Sequence, residues 1–253
     1  MKVLKATGLA IAAAALYAIS TPFSKILLEG VSPTMMASLL YLGAGIGLLL
    51  VSCSRRIVGR ESGETPLDRS DLPYTVAMIV LDIAAPILLM TGLTMTSSAT
   101  TSLLNNFEIV ATTVIALVIF RENVSKILWT AILLVTVSSI LLSVDDLSGF
   151  VLSPGALLVL GACFCWGLEN NCTRRLSNKD PMETVAIKGI FSGSGGVILG
   201  LIVGERLDNL ALLIPALILG FFSYGMSIYF YIYAQRYLGA AKTSAYYAVN
   251  PFI

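Results

Sequence analysis

Histidine is missing altogether from this 253-residue chain. That excludes Ser-His-Asp and Cys-His catalysis and takes away the commonest ligand of zinc and haem. Charge is scarce too: 12% of residues are Asp, Glu, Lys or Arg, against roughly 25% in soluble domains. The net charge of +1 gives no reason to expect a nucleic acid or an acidic partner. Of four cysteines, Cys163, Cys165 and Cys172 crowd one apolar stretch and only Cys53 lies elsewhere, which is no disulfide framework. No catalytic residue, metal or cofactor is expected, and the chain is not read as an enzyme.

What is present is apolar. Hydrophobic residues make up 57% of the chain and the mean hydropathy is +0.87. Crossing a bilayer takes about 20 predominantly apolar residues. That window gives nine segments, near 6–28, 33–53, 73–95, 98–120, 126–144, 154–174, 181–203, 210–235 and 239 to the end. The fold class expected is an all-α integral membrane protein. Lys2 and Lys5 before an alanine-rich run imitate a signal peptide, but the run continues through Leu27, so it is read as a first span.

Loop charges orient the spans. Lys2, Lys5, Arg55, Arg56, Arg60, Arg69, Arg121, Lys126, Arg174, Arg175, Lys179, Arg236 and Lys242 fall on the N-terminal side. Lys25 and Arg206 fall on the other, with Glu29, Asp145, Asp146, Glu205 and Asp208. The expected location is the cytoplasmic (inner) membrane, multi-pass, with the N-terminus in the cytoplasm.

The fourth span carries Asn105, Asn106 and Glu108 near its middle, where a charge costs roughly 2.5–3.5 kcal/mol on insertion scales. Its Ala-x-Thr-Ser motif (Ala99 to Ser102) recurs as Ala241 to Ser244, followed at the same distance by Asn250. Near the first span, Tyr17-Ala18, Lys25 and Pro33 are matched by Trp166-Gly167, Arg174 and Pro181, at offsets of 149, 149 and 148. The repeat unit is therefore five spans, and an odd number turns the second copy upside down, as in inverted-repeat transporters. Residues 1–147 form the first repeat and 148–253 the second, whose fifth helix is missing. A ten-helix 5+5 protein with about nine spans present, and a partial sequence, is the expectation.

On these motifs, with Phe120-Arg121-Glu122 closing the fourth span and Asn250-Pro251-Phe252 in the ninth, the chain resembles the EamA-like branch of the drug/metabolite transporter superfamily. The resemblance implies a cavity between two halves and a small polar or amphipathic metabolite, such as an amino acid, often exported by alternating access. Where that family commonly has proline midway along the fourth span, this chain has Glu108-Ile109.

Helical rise puts Asp82 and Glu108 near the midplane, with Asn105, Asn106 and Asn250 at similar depth. Buried carboxylates at that depth suit proton coupling; the bland alternative is a neutral acid serving as helix glue. Trp166, Tyr246 and Tyr247 complete the expected lining. Glu169 and Lys188 are read as a separate structural or gating ion pair, and Asn170 and Asn171 stay ambiguous. The Tyr229–Tyr233 run is read as interfacial anchors. Gly189, Gly193, Gly196 and Gly200 form a packing face that could also serve a homodimer. Pro22, Pro86 and Pro251 are expected to kink their spans. Expected partners are a small-molecule substrate and membrane lipid, with proton coupling and a homodimer left open. The alternatives weighed are an enzyme or flippase acting on lipid-linked substrates, which should cluster its acids at one membrane face, and a channel, which should carry rings of charge.

Overall fold

In a computed structural model the described residues are 2–59, 63–95, 104, 107–143, 153–207 and 209–249. Among them every regular element is helical. The order is α1 (Lys2–Leu27), α2 (Pro33–Ile57), α3 (Leu72–Met95), α4 (Phe107–Val118), α5 (Lys126–Ser143), α6 (Pro154–Leu176), α7 (Pro181–Ile202), α8 (Leu213–Gly220), α9 (Ser227–Leu238) and α10 (Ala240–Tyr247).

Local chemistry sets several boundaries. Pro154 and Pro181 open α6 and α7, where a missing N–H costs nothing, and Ser153 and Asp180 cap them by accepting from Ala156 and Met182. α7 ends in a Schellman turn: Gly204 has φ +87°, its N–H donates to Leu201, and that of Glu205 donates to Gly200. The chain runs helically through Pro22 and Pro86. The interruption falls elsewhere, in the span expected at 210–235. There a π-helical segment, Phe221–Met226, separates α8 from α9. α2 presses against its start and its interior: a Cβ on Gly220 would meet the backbone of Leu40, and one on Gly225 would lie 3.1 Å from Ala44 Cα.

Burial is inverted relative to a water-soluble core. Ala, Ser and Thr fill much of the interior, including Ala13, Ala14, Thr112, Thr113, Thr184, Ser223 and Ser227. Large apolar side chains such as Leu50, Phe191, Ile198 and Ile214 point outward. Apolar groups face out without cost only in an apolar medium. Among the described residues five stretches are long and apolar enough to cross a bilayer: Lys2–Ser24, Pro33–Arg55, Arg69–Leu89, Pro181–Ile202 and Leu210–Leu238. Phe107–Val118 is a shorter apolar helix, and much of the expected span before it, 98–103 with 105 and 106, lies outside the described residues.

The most extensive contacts are α2 with α7, α3 with α6, α1 with α9 and α4 with α6. Glycines allow the first of these. A Cβ on Gly189 would strike the backbone of Gly45, and one on Gly193 would lie 2.8 Å from Leu42 N. The glycine face of α7 is thus a tight helix crossing.

Candidate functional site

Charged and amide side chains from both halves of the chain meet between the helices. Lys188 of α7 donates to Glu169 Oε1 of α6 at 2.7 Å and stands 3.0 Å from Asp82 Oδ2 of α3. Tyr41 of α2 donates to the other Asp82 oxygen at 3.2 Å, and Thr173 donates to Glu169. Asp82, Glu169 and Lys188 are all buried. The expected separation of a midplane Asp82 from a Glu169–Lys188 pair is therefore corrected: one ammonium serves both carboxylates. Rise along single helices ranked their depths, but the α3–α6 and α3–α7 contacts decide what they touch.

The next residue on α6 starts a second network. Asn170 Nδ2 donates to Glu108 Oε1 of α4 at 3.0 Å and lies 3.3 Å from Thr112 Oγ1. Asn170 Oδ1 accepts from the Tyr231 hydroxyl at 3.1 Å, and that hydroxyl shares a hydrogen bond with Ser244 of α10 at 2.7 Å. Gln235 donates to the Asn170 carbonyl at 3.0 Å. Asn171, by contrast, ties α6 to the Thr112 carbonyl and to its own Gly167 carbonyl, as helix glue. Neighbouring residues of α6 thus join the two networks.

Tyrosine rings run between them. Tyr41 contacts Tyr224 at 5.4 Å between centroids, Tyr224 contacts Tyr17 at 5.5 Å, Tyr17 contacts Tyr247 at 5.3 Å, and Tyr247 contacts Tyr231 at 5.0 Å. The five rings come from α1, α2, the π-helical segment, α9 and α10. The π-helical segment carries Tyr224 into the row. Tyr17, Tyr41, Tyr224 and Tyr247 remain half-buried. Ser227 links the row to α1 by donating to the Ala13 carbonyl, and it shares a 3.2 Å hydrogen bond with Tyr247.

A narrow pocket reaches this centre along Ser38, Tyr41, Asp82, Pro86, Ser192 and Gly196, from the end of the bundle where α2 begins. With about 30 Å³ of room it has space for a few waters, less than a metabolite needs. At the opposite end ion pairs join the segments between the helices. Lys179 pairs with Asp68 and Asp71 at 2.7 and 3.0 Å, and Arg236 pairs with Glu64 while donating to the Ser177 and Lys179 carbonyls. Hydrogen bonds from Lys179 and Ser70 hold the Asp68 carboxyl well below the usual range. Glu122, of the Phe-Arg-Glu motif, pairs with Arg174 at 3.2 Å and accepts from Ala240 N at 3.0 Å. That fastens the start of α10, where Gly239 turns at φ +80°.

Of the residues anticipated from sequence, Asp82, Glu108, Tyr247, Glu169 and Lys188 meet in this centre. Trp166 on α6 and Tyr246 on α10 are half-buried. Asn105, Asn106 and Asn250 lie outside the described residues. Asn170, Tyr17, Tyr41, Tyr224 and Tyr231 were not anticipated as lining. Tyr231 corrects the anchor reading of its run: it is buried and hydrogen-bonded inward, whereas Tyr233 carries the Arg236 guanidinium over its ring and Tyr237 is exposed. A seven-residue spacing from Tyr224 to Tyr231 was the available signal, since two helical turns return to one face. Among the described residues no group of three or more His, Cys, Asp or Glu side chains is placed to hold a metal.

The EamA-like transporter family matches residues 4–144 and again 153–253. An uncharacterized transporter of Methanothermobacter thermautotrophicus is 28% identical over 256 residues, covering 95% of this chain and 74% of its own length. A protein of known crystal structure superposes with a TM-score of 0.76 at 14% identity, over 98% of this chain and 86% of its own, a likeness of fold.

Proposed function

The chain belongs to the EamA-like transporter family and is a multi-pass membrane transporter, and from that premise we propose a ten-helix carrier of two inverted repeats working by alternating access. Residues 1–147 form one repeat and 148–253 the other. The packing supports this reading. If α1, α2 and α3 correspond to α6, α7 and the α8–α9 rod, exchanging the halves turns the α3–α6 contact into the α8–α9 contact with α1. The same exchange carries the α2–α7 contact onto itself.

The observation that carries the proposal is the shared ammonium of Lys188. It comes from the second half and holds Asp82 of the first half and Glu169 of its own. A site built jointly by both halves, deep in the bundle, is where a rocking carrier binds its substrate. The substrate is a small amphipathic metabolite, an amino acid or related solute, exported across the cytoplasmic membrane with the N-terminus inside. Asp82, Glu108, Tyr247 and, by sequence position, Asn105, Asn106, Trp166, Tyr246 and Asn250 line its path.

Asp82 and Glu169 share one lysine while Glu108 is held by the Asn170 amide, so protons have carboxylates to occupy and the carrier is proton-coupled. The protein is a carrier and not an intramembrane enzyme. The test is counter-exchange of labelled amino acids in proteoliposomes, with and without a pH gradient, for wild type and Glu108→Gln. Saturable exchange with gradient-driven accumulation that the mutant loses supports the proposal. Accumulation that ignores both the gradient and the mutation removes proton coupling. Flux that does not saturate removes the carrier.

A further inference from the structure

We propose that the tyrosine-lined centre takes a cationic amine: the substrate's ammonium lies against the rings of Tyr17, Tyr224, Tyr231 and Tyr247, with Glu108 as its counter-ion. The inference rests on the transporter reading above and names the substrate class of that site.

Two independent features of the centre support it. The first is the ring row itself. Five phenols from five separate segments are in successive ring contact, and four of them keep part of their surface open. Filling a helix interface needs only small apolar residues, which this chain uses freely at its α2–α7 crossing. Phenols in the interior bring hydroxyls that must be satisfied and ring faces that carry negative potential. Such faces attract ammonium groups, and more strongly where water is excluded.

The second is the charge inventory. Lys188 is held by two carboxylates, Asp82 and Glu169. The arginines nearest the bundle interior are engaged as well, Arg174 by Glu122 and Arg236 by Glu64. Among the described residues no lysine or arginine stands within ion-pair distance of Glu108, which accepts from the amide of Asn170. Through that amide the carboxylate connects to the hydroxyl of Tyr231, at the end of the ring row. An ammonium entering the row therefore meets an anion without a cationic partner. A substrate carboxylate meets, among the described residues, no cation that is not already shared. Amines should thus bind better than their parent zwitterions, and solutes without a cation should bind poorly.

The experiment uses the full chain in nanodiscs and isothermal titration with four probes: phenethylamine, its N-trimethyl derivative, phenylalanine and N-acetylphenylalanine. The two cations are expected to bind, phenylalanine about tenfold more weakly, and the acetylated, cation-free probe not at all. Glu108→Gln keeps the acceptor for Asn170 and should weaken the two cations about tenfold or more. Tyr224→Leu, which removes one ring and leaves Glu108 untouched, should weaken them as well, and a thermal melt confirms that each variant is folded. Equal binding of phenethylamine and N-acetylphenylalanine, unchanged binding in both folded variants, or no binding of either cation each overturns the proposal. Exchange in liposomes separates it from the reading beneath it. Cations that bind without saturable exchange leave the site and remove the carrier. Exchange of N-acetylphenylalanine, with phenethylamine ignored, leaves the carrier and removes the site.

Discussion

Lys188 of α7 stands 3.0 Å from Asp82 of α3, and the same ammonium donates to Glu169 of α6 at 2.7 Å. Three helices are thereby held by one charge in the interior of the bundle. A buried ion pair is a poor source of net stability, because desolvation offsets most of the Coulomb attraction. Its removal from one side is another matter, since the remaining charge is stranded.

Lys188→Met strands two carboxylates and should destabilise the folded bundle by about 3–5 kcal/mol, the range for breaking a buried pair. Asp82→Asn should cost clearly less, because Glu169 still holds the ammonium and Tyr41 still has an acceptor. Thermal unfolding in one detergent compares the two. Equal losses would mean that the shared ammonium does not organise these helices.

The α2–α7 crossing gives a second contrast. Gly189→Ala places a methyl against the backbone of Gly45 and the Tyr41 carbonyl, neither of which is a flexible side-chain end. Overpacking of that kind costs typically 1–3 kcal/mol. Gly8→Ala, in the second turn of α1, meets nothing within 4 Å and should be neutral or gain roughly 0.5–1 kcal/mol. The same melting assay decides, and a harmless Gly189→Ala would show that the α2–α7 crossing has room for a methyl group.

The helices that open after a Ser-Pro or Asp-Pro step were readable in advance. α2, α6 and α7 begin at the expected Pro33, at Pro154 and at Pro181, since capping and the fixed φ of proline act locally. The glycine face of α7 was readable for the same reason: spacing along one helix defines one face. The reach of Lys188 to Asp82 was not, because helical rise gives depth and says nothing of which faces meet. Nor was the π-helical segment, which is held by close backbone approach of α2 at Gly220 and Gly225. Tyr231 was misread for the related reason that a tyrosine at a span's end looks alike whether it turns to lipid headgroups or inward to Asn170.

At the tied end, the Asp68–Lys179 pair predicts a definite pH window. Hydrogen bonds from Lys179 and Ser70 lower the Asp68 carboxyl, and those to Asp68 and Asp71 raise the lysine. The depressed carboxyl contributes stability above its unfolded value of about 3.9, and loses it as pH falls through the folded value. The raised lysine contributes fully below about 10.4 and loses it as pH rises through its own folded value. The stability difference between wild type and Lys179→Gln should therefore be flat from pH 5 to 9 and shrink with added salt, as exposed pairs do. A difference that changes between pH 6 and 8 would assign the tie to other groups.

Tyr231 offers the sharpest test of the interior network. Its hydroxyl donates to Asn170 Oδ1 and shares a hydrogen bond with Ser244, and all three residues are buried. Tyr231→Phe keeps the ring contact with Tyr247 but leaves Asn170 Oδ1 without that donor. An unsatisfied buried polar group costs about 1–3 kcal/mol. Tyr237→Phe, on an exposed residue of the same helix, should stay within about 0.5 kcal/mol of wild type. Melting both variants measures the stability gap. If the two are equal, Tyr231 behaves as the interfacial anchor that its sequence context suggests, and the route from Glu108 to the ring row is broken at that hydroxyl.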